Sequence, residues 1–133
     1  MPDFTLPRAE RLRSLKAIRR MFGEGKSGFV YPYRFIYLVH PAEEQVEAQA
    51  DERPVNVMFS VPKKFHKRAN KRNLLKRRTR EAYRLNREEL CERISQAGVE
   101  VNLAFIYSTK EVHSSKTIEN AVQRILAQVA EHV

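Results

Sequence analysis

Residues Lys63–Glu88 read KKFHKRANKRNLLKRRTREAYRLNRE. The stretch holds twelve Lys or Arg against two acids, Glu81 and Glu88, a net charge of +10 in a chain whose total is +9. The rest of the protein is therefore close to neutral. A concentrated basic segment on a near-neutral body is the electrostatic footprint of a polyanionic partner. Advancing ~100° per residue along a helix that opens near Arg72 gathers Lys76, Arg77, Arg80, Arg84 and Arg87 into one arc. Leu75, Thr79, Ala82, Tyr83 and Leu90 fall in another. One face can pack on a core while the adjacent face follows phosphates. A helix charged only for solubility mixes signs at i,i+4, and the scarcity of acids argues against that plainer reading. Arg72 and Asn73 fall in the expected first turn, where free N–H groups and the positive dipole end favour an anion.

On the N-terminal side of this stretch, Val55–Val61 (VNVMFSV) alternates Val55, Val57, Phe59 and Val61 with Asn56, Met58 and Ser60, the pattern of a half-buried strand closed by Pro62. On its C-terminal side the helix is expected to run to about Ile94. Gly98 marks a turn, and Val101–Ser108 (VNLAFIYS) reads as a near-continuous apolar strand suited to a central position. Strand 55–61, helix 72–94 and strand 101–108 have the length of a βαβ crossover, so the two strands are expected to be parallel.

Further out, Phe29–His40 (FVYPYRFIYLVH) is aromatic and β-branched and reads as strand, split or started at an edge by Pro32. Tyr33, Phe35, Tyr37 and Val39 share one face and Arg34, Ile36 and Leu38 the other. One face should meet helices; the other could offer rings for stacking on unpaired bases. Ser14 can cap a short helix whose Leu15, Ile18, Met21 and Phe22 recur at helical spacing, ended by Gly23 and Gly25. Residues 1–13 read as an extended arm. Residues 41–54 (PAEEQVEAQADERP) carry five acids and read as a solvated hairpin connection, kept away from any polyanion. Ser114 or Ser115 opens a last helix with Ile118, Val122, Ile125 and Val129 on one stripe. The order helix, strand, strand, helix, strand, helix implies an α+β fold, a two-layer α/β sandwich with a βαβ crossover.

At 133 residues, 42% hydrophobic and 31% charged, the chain has the size of a single domain, residues 1–133. No apolar run approaches a membrane span, and no membrane partner is expected. The first residues lack the apolar core of a secretory signal. One cysteine, Cys91, can form no internal disulfide. A cytoplasmic location is expected. Catalytic signals are absent: the four glycines match no phosphate-loop or dinucleotide spacing, and the four histidines lie apart from any Cys or carboxylate at metal-ligand spacing. No catalytic residue and no protein-bound metal are expected.

Ser60–Tyr83 (SVPKKFHKRANKRNLLKRRTREAY) resembles the protein component of bacterial ribonuclease P. That family carries Ser-Val-x-Lys-Lys at a strand end, a short loop, then Arg-Asn-Arg-x-x-Lys-Arg-x-x-Arg-Glu-Ala-aromatic. Ser60, Val61, Lys63, Lys64, Lys67, Ala69, Arg72, Asn73, Lys76, Arg77, Arg80, Glu81, Ala82 and Tyr83 carry the match. Element order agrees over about residues 9–130. Leu74 stands where the signature has its second arginine; that contact is lost, or is supplied by Lys71 or Arg78. Arg78 itself stands where the family often has an apolar residue, and the loop's usual glycine is replaced near His66.

The resemblance implies a ribosomal protein S5 domain 2-like fold and a non-catalytic subunit of an endoribonuclease, whose RNA removes the 5′ leader of precursor tRNA with Mg²⁺ bound at the RNA active site. It implies ribonuclease P RNA and precursor tRNA as partners, with no obligatory protein partner evident. Contacts to RNA would come from Lys63, Lys64, Lys67, Arg68, Arg72, Asn73, Lys76, Arg77 and Arg80. A cleft between the sheet and the first helix would hold the leader, with Ile18, Phe22, Tyr33, Phe35 and Tyr37 as its candidate lining. Two other readings remain at this level. A structural RNA-binding protein shares the composition but needs no leader cleft. A DNA reader would want base-reading side chains on a protruding helix, whereas here the polar side of the helix is nearly all phosphate-type charge.

Overall fold

The computed structural model describes residues 15–41 and 55–133. Its elements are α1 (Leu15–Glu24), β1 (Lys26–Val30), β2 (Tyr33–Pro41), β3 (Val55–Ser60), α2 (Ala69–Asn86), α3 (Glu88–Ala97), β4 (Val99–Tyr107) and α4 (Ser115–Glu131). The four strands form one sheet in the order β1-β2-β4-β3. β1 and β2 are antiparallel, β2 and β4 are antiparallel, and β3 runs parallel to β4 as the crossover length requires.

Three boundaries differ from the sequence reading. Pro32 splits the aromatic segment, as its sequence allowed, into β1 and β2, which meet at a cis Tyr31–Pro32 bond, but β1 begins at Lys26 rather than Phe29. The basic helix begins three residues early, at Ala69, so Arg72 and Asn73 lie beyond its first N–H groups. It also turns at Arg87 rather than continuing to Ile94. Glu88 and Glu89 open the next helix, where carboxylates complement the positive end of the dipole. Gly98, at φ 68°, closes α3 in the left-handed conformation that glycine adopts without steric cost. Ser114 caps α4 by accepting from the Thr117 N–H. Gly25 ends α1: its N–H donates to the Met21 carbonyl at 2.8 Å. A Cβ on Gly25 would run into that carbonyl and come within 2.8 Å of the Tyr37 carbonyl.

The sheet has two unequal faces. One carries Tyr33, Phe35, Tyr37, Val57, Leu103, Phe105 and Tyr107, and packs beneath the apolar stripes of α2, α3 and α4 as the main core. The other carries Ile36, Leu38, Met58, Ala104 and Ile106 and, among the described residues, meets α1 through Ala17, Ile18 and Met21. The two-layer body thus gains a short helix on its second face. Because β4 lies between β2 and β3, the chain joining those two strands is not a hairpin turn, contrary to the reading of the acidic stretch. Residues 42–54 themselves, like the arm 1–13, lie outside the described residues.

The face assignment corrects the expected cleft. Tyr33, Phe35 and Tyr37 are 1%, 2% and 7% exposed, so their rings are core and are not presented for stacking. α2 and α4 together bring a broad apolar surface, which the large rings fill; α1, with Met21 as its buried residue, takes the smaller aliphatic face. Tyr33 shows how fully its ring is enclosed. Its hydroxyl donates to Thr79 Oγ1 at 2.5 Å, and Thr79 Oγ1 in turn donates to the Leu75 carbonyl at 2.8 Å. Burial pushes the Tyr33 phenol well above its ordinary pKa. Phe35→Ala should therefore cost about 3–5 kcal/mol of stability, read as a lowered midpoint in urea unfolding; a ring held out for ligand stacking would leave the midpoint in place.

Candidate nucleic-acid interface

α2 is rolled by its buried residues. Leu75, Thr79, Ala82 and Tyr83 face the core, and Tyr83 lies edge-on to Phe59 and Phe105 at 5.9 and 6.1 Å. That roll turns the opposite side outward. Asn70, Asn73, Leu74, Lys76, Arg77 and Arg80 line a shallow groove of about 500 Å³ along it. Asn73, Arg77 and Arg80 are exposed and Lys76 is half-buried. Among the described residues, no carboxylate pairs with Lys76, Arg77 or Arg80. Unpaired cations at successive turns of one helix are suited to successive phosphates. Arg84, by contrast, is engaged with Glu81 at 2.6 Å.

The loop between β3 and α2 extends this surface. Lys63, Lys64, Lys67 and Arg68 are exposed. The Lys64 ammonium lies 5.0 Å above the Phe65 ring, which holds its stem against the loop. The loop is tied down from below. The N–H groups of Phe65 and His66 both donate to the Pro62 carbonyl. His66 is buried, and its Nε2 lies 2.8 Å from the Thr109 carbonyl. A carbonyl can only accept, so Nε2 carries the proton. Arg72 closes the loop from the helix side: its Nη1 donates to the carbonyls of His66 at 3.0 Å and Lys67 at 2.6 Å. One end of the Arg72 guanidinium is thus committed to shaping the loop that presents Lys67 and Arg68.

Leu74 sits inside the basic groove, flanked by Asn70, Asn73 and Arg77. Of its two candidate substitutes, Arg78 is occupied, donating to the His113 carbonyl at 2.6 Å, while Lys71 is exposed. The five residues expected to line a leader cleft are not brought together. Ile18 packs on the α1 side of the sheet and Phe22, on the same helix, is 48% exposed. Tyr33, Phe35 and Tyr37 face the opposite way. On the α1 side the sheet presents instead Arg34, Ile36, Leu38, Met58 and Ile106. Among the described residues no three His, Cys, Asp or Glu side chains stand together as metal ligands, and no helix is long and apolar enough to cross a membrane.

A family model described as Ribonuclease P matches residues 6–130. The chain belongs to the ribonuclease P protein family. It is 36% identical over 132 residues to the ribonuclease P protein component of Porphyromonas gingivalis, covering 99% of this chain and 91% of that one. It is 40% identical over 112 residues to that of Chlorobaculum tepidum, covering 79% and 68%. The fold matches a structure of the Staphylococcus aureus RNase P protein with a TM-score of 0.63 at 18% identity, covering 90% of this chain and 94% of that one. It also matches a mutant of the same protein, titled as defective in mRNA degradation activity, with a TM-score of 0.67 at 16% identity. Within the ribonuclease P signature, Ala82 and Tyr83 pack the helix on the sheet, Arg72 shapes the loop, and Lys76, Arg77 and Arg80 line the groove with no carboxylate partner among the described residues.

The hydrogen bond between His66 and Thr109 was beyond sequence reasoning, because 43 residues separate the partners. Replacing Lys76, Arg77 and Arg80 together by Gln should lower the slope of log K for RNA against log salt by about 2–3, measured by filter binding at several salt concentrations. Arg72→Gln should act differently, loosening the loop as well as removing charge; its mark would be faster hydrogen exchange at residues 65–68.

Proposed function

We propose that the protein is the RNA-binding subunit of a ribonuclease P ribonucleoprotein that removes the 5′ leader from precursor tRNA. The observation that carries this reading is the row of unpaired cations on α2, Lys76, Arg77 and Arg80, beside a loop whose Lys63, Lys64, Lys67 and Arg68 are held outward by His66 and Arg72. Packing fixes the helix and hydrogen bonds fix the loop, so the backbone that carries the cations is pre-arranged and little backbone order is lost on binding. Such a surface recognises a folded RNA by its phosphates rather than by base edges. The membership in the ribonuclease P family supports ribonuclease P RNA as the partner.

In this reading the protein supplies positioning and the RNA supplies the reaction. Mg²⁺ acts at the RNA active site; the described side chains offer no cluster that would hold it, and no step is assigned to a protein-bound ion. The leader runs over the α1 side of the sheet, past Ile18 and Phe22 and across Arg34 and Leu38, in place of the buried rings. Binding the leader there favours precursor over mature tRNA, because the product lacks the segment that makes those contacts. Both RNAs place the protein in the cytoplasm, with no membrane role and no obligatory protein partner.

The test is reconstitution. Purified protein, a bacterial ribonuclease P RNA and labelled precursor tRNA are mixed at low Mg²⁺. Cleavage at the mature 5′ end is expected with both components and not with protein alone. Tight RNA binding without restored cleavage would instead support a structural RNA-binding protein.

A further inference from the structure

Of the large apolar side chains left exposed among the described residues, Phe29, Tyr31 and Val112 gather at one end of the molecule, 60%, 51% and 41% exposed. Phe29 and Tyr31 flank the end of β1, their ring centroids 6.5 Å apart and tilted by 56°. Exposed rings on a hairpin tip are ordinarily mobile. Tyr31 is held. Its hydroxyl donates to Glu111 Oε2 at 3.2 Å and lies 3.3 Å from Thr109 Oγ1. His113 Nε2 lies 3.1 Å from the same hydroxyl, and the His113 ring meets the Tyr31 ring edge-on at 5.3 Å. His113 is itself fixed, its N–H donating to the Tyr107 hydroxyl at 3.1 Å. A ring held by its polar tip and flanked by His113 and Phe29, yet still 51% exposed, has the form of a stacking platform.

Two features say what such a platform would take. The first is charge. Thr109 joins the platform to the basic loop: its hydroxyl lies beside Tyr31 and its carbonyl accepts from His66. Lys110 follows it in the chain and is exposed. The carboxylate at this site, Glu111, is engaged by Tyr31 and by His113 at 3.4 Å. The second is register. Phe29 stands opposite Arg34, Arg34 opposite Ile106, and Ile106 opposite Ser60, a single row across all four strands. That row lies on the same face of the sheet as α1, and it ends at Ser60, three residues before Lys63. The platform is thus continuous with the surface assigned above to the leader and with the cations of the loop.

We propose that Phe29 and Tyr31 form a base-stacking platform for unpaired nucleotides of the precursor's 5′ leader, with Arg34 and Lys110 as its flanking phosphate contacts. The inference rests on the ribonuclease P reading for its ligand, though not for its geometry. Stacking on an aromatic face is tolerant of base identity, which suits a leader of variable sequence. Tyr31, clamped at its hydroxyl, is the fixed member; Phe29, without a polar anchor, adjusts to it.

The experiment compares the wild-type protein with the double variant Phe29→Ala/Tyr31→Ala in the reconstituted holoenzyme. Binding is measured for two precursors, one with a long leader and one with a single-nucleotide leader. The double variant should bind the long-leader precursor about tenfold or more weakly, with an unchanged salt slope and an unchanged affinity for the short-leader precursor. Phe29→Leu/Tyr31→Leu keeps bulk without an aromatic face and should show the same loss, whereas Tyr31→Phe should retain most of the affinity. Equal losses on both precursors, or no loss on either, would overturn the platform. Thermal melts of each variant identify any loss that comes from unfolding, and the Leu pair then carries the test. If the wild type restores no cleavage, the functional reading fails by itself. The platform is then judged by binding of a labelled single-stranded oligoribonucleotide to the protein alone. Removing the rings must still weaken that binding for the proposal to stand.

Discussion

The structure depends on a block of rings that fastens α2 to the sheet. Phe59 of β3 stacks on Phe105 of β4 at 5.7 Å, Tyr83 of α2 packs edge-on against both, and Tyr33 of β2 meets Phe105 at 6.0 Å. Each such pair contributes about 0.5–1.5 kcal/mol beyond the area it buries. The block also fixes direction. Tyr33 reaches up to Thr79 and Tyr83 reaches down to Phe59, so the helix has one rotational setting about its axis. Its cations are aimed outward as a consequence of what lies beneath it.

The same block closes one face of the sheet to any ligand. A face filled with large rings under two long helices has no room for a ligand. Among the described residues, what remains partly uncovered is the aliphatic face, over which only the ten-residue α1 lies, and the end of the sheet where β3 and β4 stop together. There the basic loop, the Thr109–His113 segment and the β1–β2 tip converge. Their side chains are tied mainly by hydrogen bonds to backbone carbonyls and to one another. Polar ties of this kind hold a loop in place without enclosing it, and so leave the lysines and the two rings accessible.

Residues that a motif groups together divide into different duties once the helix is packed. Ala82 and Tyr83 are core, Arg72 is half spent on the carbonyls of the loop, and Arg78 bonds across to the turn before α4. Lys76, Arg77 and Arg80 line the outward groove and, among the described residues, pair with no carboxylate. A basic side chain on the rim of a helix can turn inward to a carbonyl or outward to a phosphate. Which it does depends on the carbonyls within reach, and those belong to other parts of the chain.

Local order determined a good deal by itself. The excess of charge in residues 63–88 needs no fold to be recognised, and the 3.6-residue spacing of Leu75, Thr79, Ala82 and Tyr83 defines the buried side of α2 whatever it packs on. Period-two alternation marked β3, the length of the crossover implied its parallel pairing with β4, and the Ser114–Ser115 pair announced α4, with Ser114 proving to be the cap. Only the tertiary structure decided which side of β2 is buried under the long helices. Both of its faces are apolar, so alternation separates Tyr33, Phe35 and Tyr37 from Ile36 and Leu38 without saying which set is enclosed. That choice turns on the volume and area offered by α2 and α4 against the single short α1. The meeting of Tyr31 with His113, and of His66 with Thr109, was equally out of reach. Periodicity describes what a segment does along its own axis, and these contacts join segments 82 and 43 residues apart.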